Sequence, residues 1–274
     1  MPEKLIRSAF RVLVSLVATC TLASCSGQDA QADSEAITHT IETRFAEQDG
    51  KITVHLPDGY EADITQVYPV LYIRAGRNLY SKTIRRTIDK MVEDGEGPEV
   101  IVVTSYAYYR ALPENEVAES NGAAPDYLTH LKDELIPFIE EEYRASSARW
   151  ISGFSSTGIF LLYTMAEAPD LFTDYIFQSP AFDDDWIDYS LAALNRRFEL
   201  TQADPIKIFI GIGNRDTRND RHAGFAAVTA FLEDAAPQSI FWKTKYYPGK
   251  RHEEFRDLIR DAIEHLANEN ERPD

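Results

Sequence analysis

Six short apolar runs punctuate the chain and set most of what it can become: YPVLYI (68–73), EVIVVTS (99–105), RWISGF (149–154), DYIFQSP (174–180), PIKIFIGIG (205–213) and IFWKTKYYP (240–248). The first five are nearly continuous in apolar character, as strands buried on both faces of a sheet must be. Between them lie segments with helical spacing. TIRRTIDKMVEDG carries Ile84, Ile88 and Met91 and stops at Gly95, and residues 125–143 place Leu128, Leu131, Leu135 and Ile139 on one face, with Pro137 expected to bend it. SSTGIFLLYTMAEA and HAGFAAVTAFLEDA read as helices. A last helix aligns Phe255, Leu258, Ile259, Ala262 and Leu266, with Ile263 beside them. Strands alternating with helices of this length predict an α/β domain with a mainly parallel sheet and helices on both faces. Ahead of it, ITHTIETRFA and GKITVHLPDGY alternate apolar and polar residues, which predicts an antiparallel pair joined near residues 47–50.

The N-terminus has a different character. Lys4, Arg7 and Arg11 precede a short apolar run that ends in Leu22-Ala23-Ser24-Cys25. That is the layout of a secretory signal, and its end resembles the lipobox of bacterial lipoproteins. The expectation is a signal peptide over 1–24, a lipidated Cys25 with a polar tether over 25–37, and a catalytic-size domain over 38–274. The protein would then be anchored to a membrane of the bacterial cell envelope. An ordinary signal peptide cut at a small residue is the alternative. The chain has only two cysteines, Cys20 and Cys25, so the mature form would keep no thiol for a disulfide, a metal site or catalysis. The formal charge of −17 argues against nucleic acid as a partner. GIG (211–213) lacks the third glycine of a dinucleotide fingerprint, and no HExxH occurs, so neither cofactor nor metal is expected.

Ligands of a parallel α/β sheet bind beyond the carboxyl ends of its strands, so the residues there carry the functional argument. RWISGF runs into Ser155, Ser156, Thr157 and Gly158. A strand that turns at once into a helix lifts its corner side chain over the sheet edge, and needs small residues two before and two after it. Here these are Gly153 and Thr157, so G-x-S-x-G becomes G-x-S-x-T. Ser152 falls within the strand and Ser156 in the helix. A serine nucleophile needs a base, and the base an orienting carboxylate, in the chain order Ser, acid, His. Asp216 follows PIKIFIGIG and His252 follows IFWKTKYYP. His222 precedes a helix and His265 lies in the last one. Asp220 and the Asp183–Asp185 run compete with Asp216; the latter reads as a solvated loop. An oxyanion hole would use the N–H of Ser156 and one from the loop around Gly76 and Arg77. Tyr106, Tyr108, Tyr109 and Arg110 follow EVIVVTS, either as a binding wall for an aromatic or anionic acyl group or as an ordinary surface loop.

Together YPVLYIRAG, ITVHLPDGY, YLTHLKDELIPFIEEEYRAS, ISGFSSTGIFLLYTMAEAPDLF, FQSPAFDDDW, GIGNRDT and YYPGKRHEEF resemble the esterase D and enterochelin-esterase-like branch of the α/β-hydrolases. The resemblance spans roughly residues 38–265. It implies an α/β-hydrolase fold, Ser155, Asp216 and His252 as a triad, and Arg110 as a substrate-loop arginine. Members of that branch cleave siderophore trilactones, feruloyl esters or S-formylglutathione, or transfer acyl groups. This chain departs from the pattern at Ala75, Phe154 and Thr157, where the family has Asp, His and Gly. The reading is a serine carboxylic-ester hydrolase acting on a small-molecule ester, with an external siderophore or aromatic acyl ester suited to an exported protein. A tethered binding protein with a degenerate site and an acyltransferase are the alternatives.

Overall fold

The computed structural model describes residues 36–43, 50–74, 78–105, 123–200, 204–253 and 256–268. Its strands are β1 (Ile37–Ile41), β2 (Gly50–His55), β3 (Tyr68–Arg74), β4 (Ile101–Ser105), β5 (Ala145–Phe154), β6 (Asp174–Gln178), β7 (Ile206–Gly213) and β8 (Ile240–Tyr247). They form one sheet in the order β1-β2-β4-β3-β5-β6-β7-β8. β1 and β2 pair antiparallel, Ile37 opposite Val54, and β2 pairs antiparallel with β4. Every later pairing is parallel. The mainly parallel sheet is the one the alternating pattern predicts, and the architecture is the α/β-hydrolase fold that the resemblance implies. The expected junction near residues 47–50 falls largely outside the described residues.

The helices are α1 (Asn78–Glu93), α2 (Ala123–His130), α3 (Ile136–Glu142), α4 (Thr157–Glu167), α5 (Ile187–Phe198), α6 (Asn219–Ala235) and α7 (Arg256–Ala267). Strand side chains alternate between two cores, as the period of two requires. Tyr68, Val70, Tyr72, Ile101, Val103, Ile206, Ile208, Ile210 and Ile212 face a core that includes residues of α2 to α6. Leu71, Ile73, Val100, Val102 and Phe209 face a second core with residues of α1 and α7. Burying one such aliphatic side chain contributes about 1.5–3 kcal/mol. α1 and α7 also pack directly on each other. The C-terminal end of α7 is tied down by buried Lys207 of β7, whose Nζ donates to the carbonyls of His265 at 3.1 Å and Leu266 at 3.0 Å.

This layering places the site. The connection leaving β3 runs over one face through α1, while that leaving its neighbour β5 runs over the other through α4. Their diverging ends open a crevice at the carboxyl edge, and β5 delivers Ser155 to it.

Three details differ from the sequence expectation. The segment 125–143, expected to bend at Pro137, is interrupted by a π-helical turn over Leu131–Leu135, and Pro137 follows in the first turn of α3. Proline lacks an N–H and crowds the carbonyl four residues before it, so the ladder is disturbed on its N-terminal side. Helix α6 begins at Asn219, so His222 lies inside it rather than before it. Asp183, read as solvated, is buried at 5% exposure, whereas Asp184 and Asp185 are exposed.

Candidate active site

Ser155 stands at the corner between β5 and α4 with φ +55°. That left-handed conformation costs a residue with a Cβ about 1–2 kcal/mol. The surroundings over-determine it: Ser155 N–H donates to the Gln178 carbonyl at 3.0 Å, and the Ser155 carbonyl accepts from Gly158 N–H at 3.0 Å and Ala181 N–H at 3.1 Å. Gly153 is required by the close return of the chain. A Cβ there would lie 2.8 Å from the Thr157 carbonyl oxygen and 2.7 Å from Leu161 Cδ1. It is the backbone of Thr157 that must be cleared, so a threonine is compatible with this turn. Ser156 is the cap residue just before α4, one position ahead of the helix proper, and is exposed. Its amide lies at the positive end of the α4 dipole.

Beneath the elbow lies a buried polar cluster. Gln178 Nε2 donates to Ser152 Oγ at 2.5 Å and to Tyr80 Oη at 2.6 Å, and the two hydroxyls are 3.2 Å apart. Burial pushes the Tyr80 phenol well up, so it stays protonated. Gln178 thus supports the elbow twice, through its carbonyl on Ser155 and its amide on Ser152.

The β7 and β8 ends are laced together. Asn214 N–H donates to Tyr247 carbonyl at 3.1 Å, and Arg215 N–H to Lys250 carbonyl at 2.9 Å. Gly213 permits this approach, since a Cβ there would collide with the Lys250 carbonyl. The lacing brings Asp216 to His252. His252 Nδ1–H donates to Asp216 Oδ2 at 2.7 Å, and the other carboxylate oxygen accepts from the Arg218 amide at 3.1 Å. The Asp216 carboxylate is almost wholly buried, its side chain 2% exposed, while that of His252 is 26% exposed. The ring of Phe154, the residue before Ser155, packs on the His252 ring at a centroid distance of 4.7 Å. The histidine is therefore seated against the elbow.

Arg221, on the first turn of α6, completes this cluster. Its Nη1 lies 3.1 Å from His252 Nδ1 and 3.0 Å from Nε2, 3.7 Å from Asp216 Oδ2, and its Nε is 3.8 Å from Asp183 Oδ2. Arg218 also pairs with Asp183, at 3.2 Å. Burial and the Arg221 charge hold the His252 imidazole below its ordinary pKa, and the Asp216 charge and hydrogen bond only partly oppose them. Burial likewise raises Asp183, against the pull of Arg218 and Arg221.

Of the residues the sequence singles out, Asp216 and His252 are brought together, and Phe154, the residue before Ser155, packs on the His252 ring. Asp220, the rival acid, pairs instead with Arg218 at 2.8 Å. His265 is remote, on α7. Gly76, Arg77, Tyr108, Tyr109, Arg110 and Cys25 lie outside the described residues. Sequence reasoning missed Arg221 and Gln178, and named Asp183 only as part of a run read as solvated. Gln178 had a usable signal, a polar residue closing an apolar strand; Arg221 had none beyond a dense run of charged residues. Among the described residues no group of His, Cys, Asp and Glu could hold a metal ion, and no helix is long and apolar enough to cross a membrane.

A mostly parallel eight-stranded sheet with a positive-φ serine after β5, an acid after β7 and a histidine after β8 defines an α/β-hydrolase. The sequence from residue 43 to 256 matches the family described as Putative esterase, and the chain belongs to that family; it is a carboxylic-ester hydrolase. No curated protein matches the sequence. Among solved structures, it is similar to an IroE-like serine hydrolase from Shewanella oneidensis, at 21% identity and a TM-score of 0.74, over 85% of this chain and 80% of that one. It is also similar to the siderophore hydrolase EstA from Aspergillus nidulans, at 16% identity and a TM-score of 0.68, over 90% and 98% of the two chains. A feruloyl esterase module from Clostridium thermocellum, solved with sinapinate, matches at 18% identity and a TM-score of 0.65, over 90% and 93%. At such identities these likenesses concern the fold.

Proposed function

We propose that the protein hydrolyses carboxylic esters through Ser155, His252 and Asp216. Ser155 Oγ attacks the ester carbonyl carbon while its proton passes to His252 Nε2. Asp216 holds Nδ1–H and stabilises the imidazolium. The oxyanion is met by the amide of Ser156 and by an amide near Gly76 and Arg77. Collapse of the tetrahedral intermediate expels the alcohol, which takes the proton from Nε2. Water then repeats the sequence on the acyl-enzyme and frees the acid. The observation that carries this reading is the Nδ1–H···Oδ2 bond of 2.7 Å in a histidine packed against the elbow of a strained serine.

For the substrate, the proposal is a siderophore or aromatic acyl ester. Its support is the naming of similar folds as siderophore hydrolases and a feruloyl esterase. With the basic, apolar and Leu-Ala-Ser-Cys segments of the N-terminus, we place the enzyme at a bacterial cell envelope, lipid-anchored through Cys25. The test is labelling of the purified protein with a fluorophosphonate and mapping of the adduct. Phosphonylation at Ser155, lost in His252→Ala, is the expected result. A well-folded protein that stays unlabelled would overturn the reading.

A further inference from the structure

Residues two apart on a strand point to the same face of the sheet. On β5, Ser152 and Phe154 are such a pair, and Tyr80, in the first turn of α1, lies along both. Its hydroxyl is 3.2 Å from Ser152 Oγ, and its ring meets the Phe154 ring at a centroid distance of 5.5 Å and an angle of 33°. Phe154 in turn meets the His252 ring at 4.7 Å and 41°. Three rings therefore run from beneath the elbow to the histidine. Aromatic pairs at such separations favour particular orientations, so each ring limits the tilt of the next.

The foot of this column is fixed. Gln178 Nε2 donates to Tyr80 Oη at 2.6 Å and to Ser152 Oγ at 2.5 Å, and Gln178 is fully buried. Moving the Tyr80 ring would take an acceptor from a buried amide, which folded proteins avoid. The main-chain carbonyl of Gln178 meanwhile accepts the Ser155 N–H at 3.0 Å. One residue at the end of β6 is thus the common footing of the elbow and of the column.

We propose that Tyr80 is a positioning residue for ester hydrolysis: pinned at its hydroxyl by Gln178 and Ser152, it backs Phe154 and so sets where the His252 ring stands relative to Ser155. The inference rests on the Ser155–Asp216–His252 reading. The hydrogen bond from Nδ1 to Asp216 fixes one atom of the imidazole but not the plane of the ring. Phe154 supplies a wall for that plane, and Tyr80 keeps the wall from receding. A base displaced by a fraction of an ångström or tilted out of line loses rate without losing affinity for the ester, because the alignment matters in the reacting geometry. Burial keeps the Tyr80 phenol protonated, so this footing does not itself titrate in the range where the histidine does.

The experiment measures kcat and KM for p-nitrophenyl acetate in the wild type, Tyr80→Leu, Tyr80→Phe and Ile88→Ala. Tyr80→Leu, which removes the ring, lowers kcat about tenfold and leaves KM within about twofold. Tyr80→Phe keeps the ring and loses its pin, and its kcat falls about threefold, between the other two. Ile88→Ala lies on the same helix and in the same core but outside the column, and keeps the wild-type kcat. A folded Tyr80→Leu with wild-type kcat, or an equal loss in Ile88→Ala, overturns the proposal. Proton NMR of the His252 ring is the second readout, since its C–H resonances carry the ring current of Phe154. They move in both Tyr80 variants and stay in Ile88→Ala; unmoved resonances in both Tyr80 variants overturn the proposal. Should Tyr80→Leu not fold, Tyr80→Phe decides on the same two readouts. The NMR needs no turnover. An inactive wild type whose His252 resonances still respond to Tyr80 would sink the esterase reading and uphold the placement of the ring.

Discussion

Around Ser155 the chain is held by its backbone: a left-handed φ, three main-chain hydrogen bonds, and a glycine where no Cβ fits. Around His252, a few ångströms of packing away, it is held by charge: Asp216, Arg221, Asp183 and Arg218 in one partly buried network. Steric constraint is indifferent to pH and to exact electrostatic balance, and suits the nucleophile proposed at Ser155, whose position must not vary. A charge network responds to every proton, and suits the base proposed at His252, whose protonation state would be its function.

Substitutions can break either half. The largest effect is expected from Asp216→Asn. It removes the acceptor that fixes the tautomer and should lower kcat by about 10³–10⁴-fold, with substrate binding largely kept, as steady-state kinetics would show. Next is Gly153→Val, which forces side-chain atoms onto the Thr157 backbone. Urea unfolding should report a loss of about 2–3 kcal/mol, while the equivalent substitution at exposed Asp184 should change little. A finer test compares two inactive enzymes. Ser155→Gly relieves the left-handed strain that Ser155→Ala retains, so the glycine variant should be the more stable by about 1 kcal/mol. A glycine variant less stable than the alanine one would mean the elbow is not strained.

The smallest effect concerns pH. His252 must be neutral to accept a proton, and burial and Arg221 depress its pKa. Activity should therefore be retained below the ordinary imidazole value of 6.5 and be lost only as pH falls through the lowered one. A limb lying above 6.5 would mean that Asp216 dominates the network.

The same division governs what was legible in the sequence. Strands β3 to β7 announce themselves because both faces of each are apolar, and the proposed triad of Ser155, Asp216 and His252 is read from the order of strand ends. Helix α5 went unread because its buried stripe includes Ser190 and Arg197 beside Ala193 and Leu194, which blurs the apolar period. Arg197 is acceptable there because its Nη2 donates to the Asp204 carbonyl at 2.6 Å. Asp183 was misread for a related reason: three consecutive aspartates look alike in sequence, and only the approach of α6 buries the first. Charges that pair across elements distant in sequence leave no local periodicity to detect.

The pairing of α1 with α7 bears on how the chain is made. Among the described residues, α1 and α7 are the helices that line the second core, and more than half of the sequence lies between them. Until α7 has emerged, the cover that Leu258, Ile259, Ala262, Ile263 and Leu266 give this core is missing, and the α1 side of the sheet is only partly closed. Vectorial synthesis therefore leaves that face partly open while the residues between α1 and α7 are made, with closure waiting for α7.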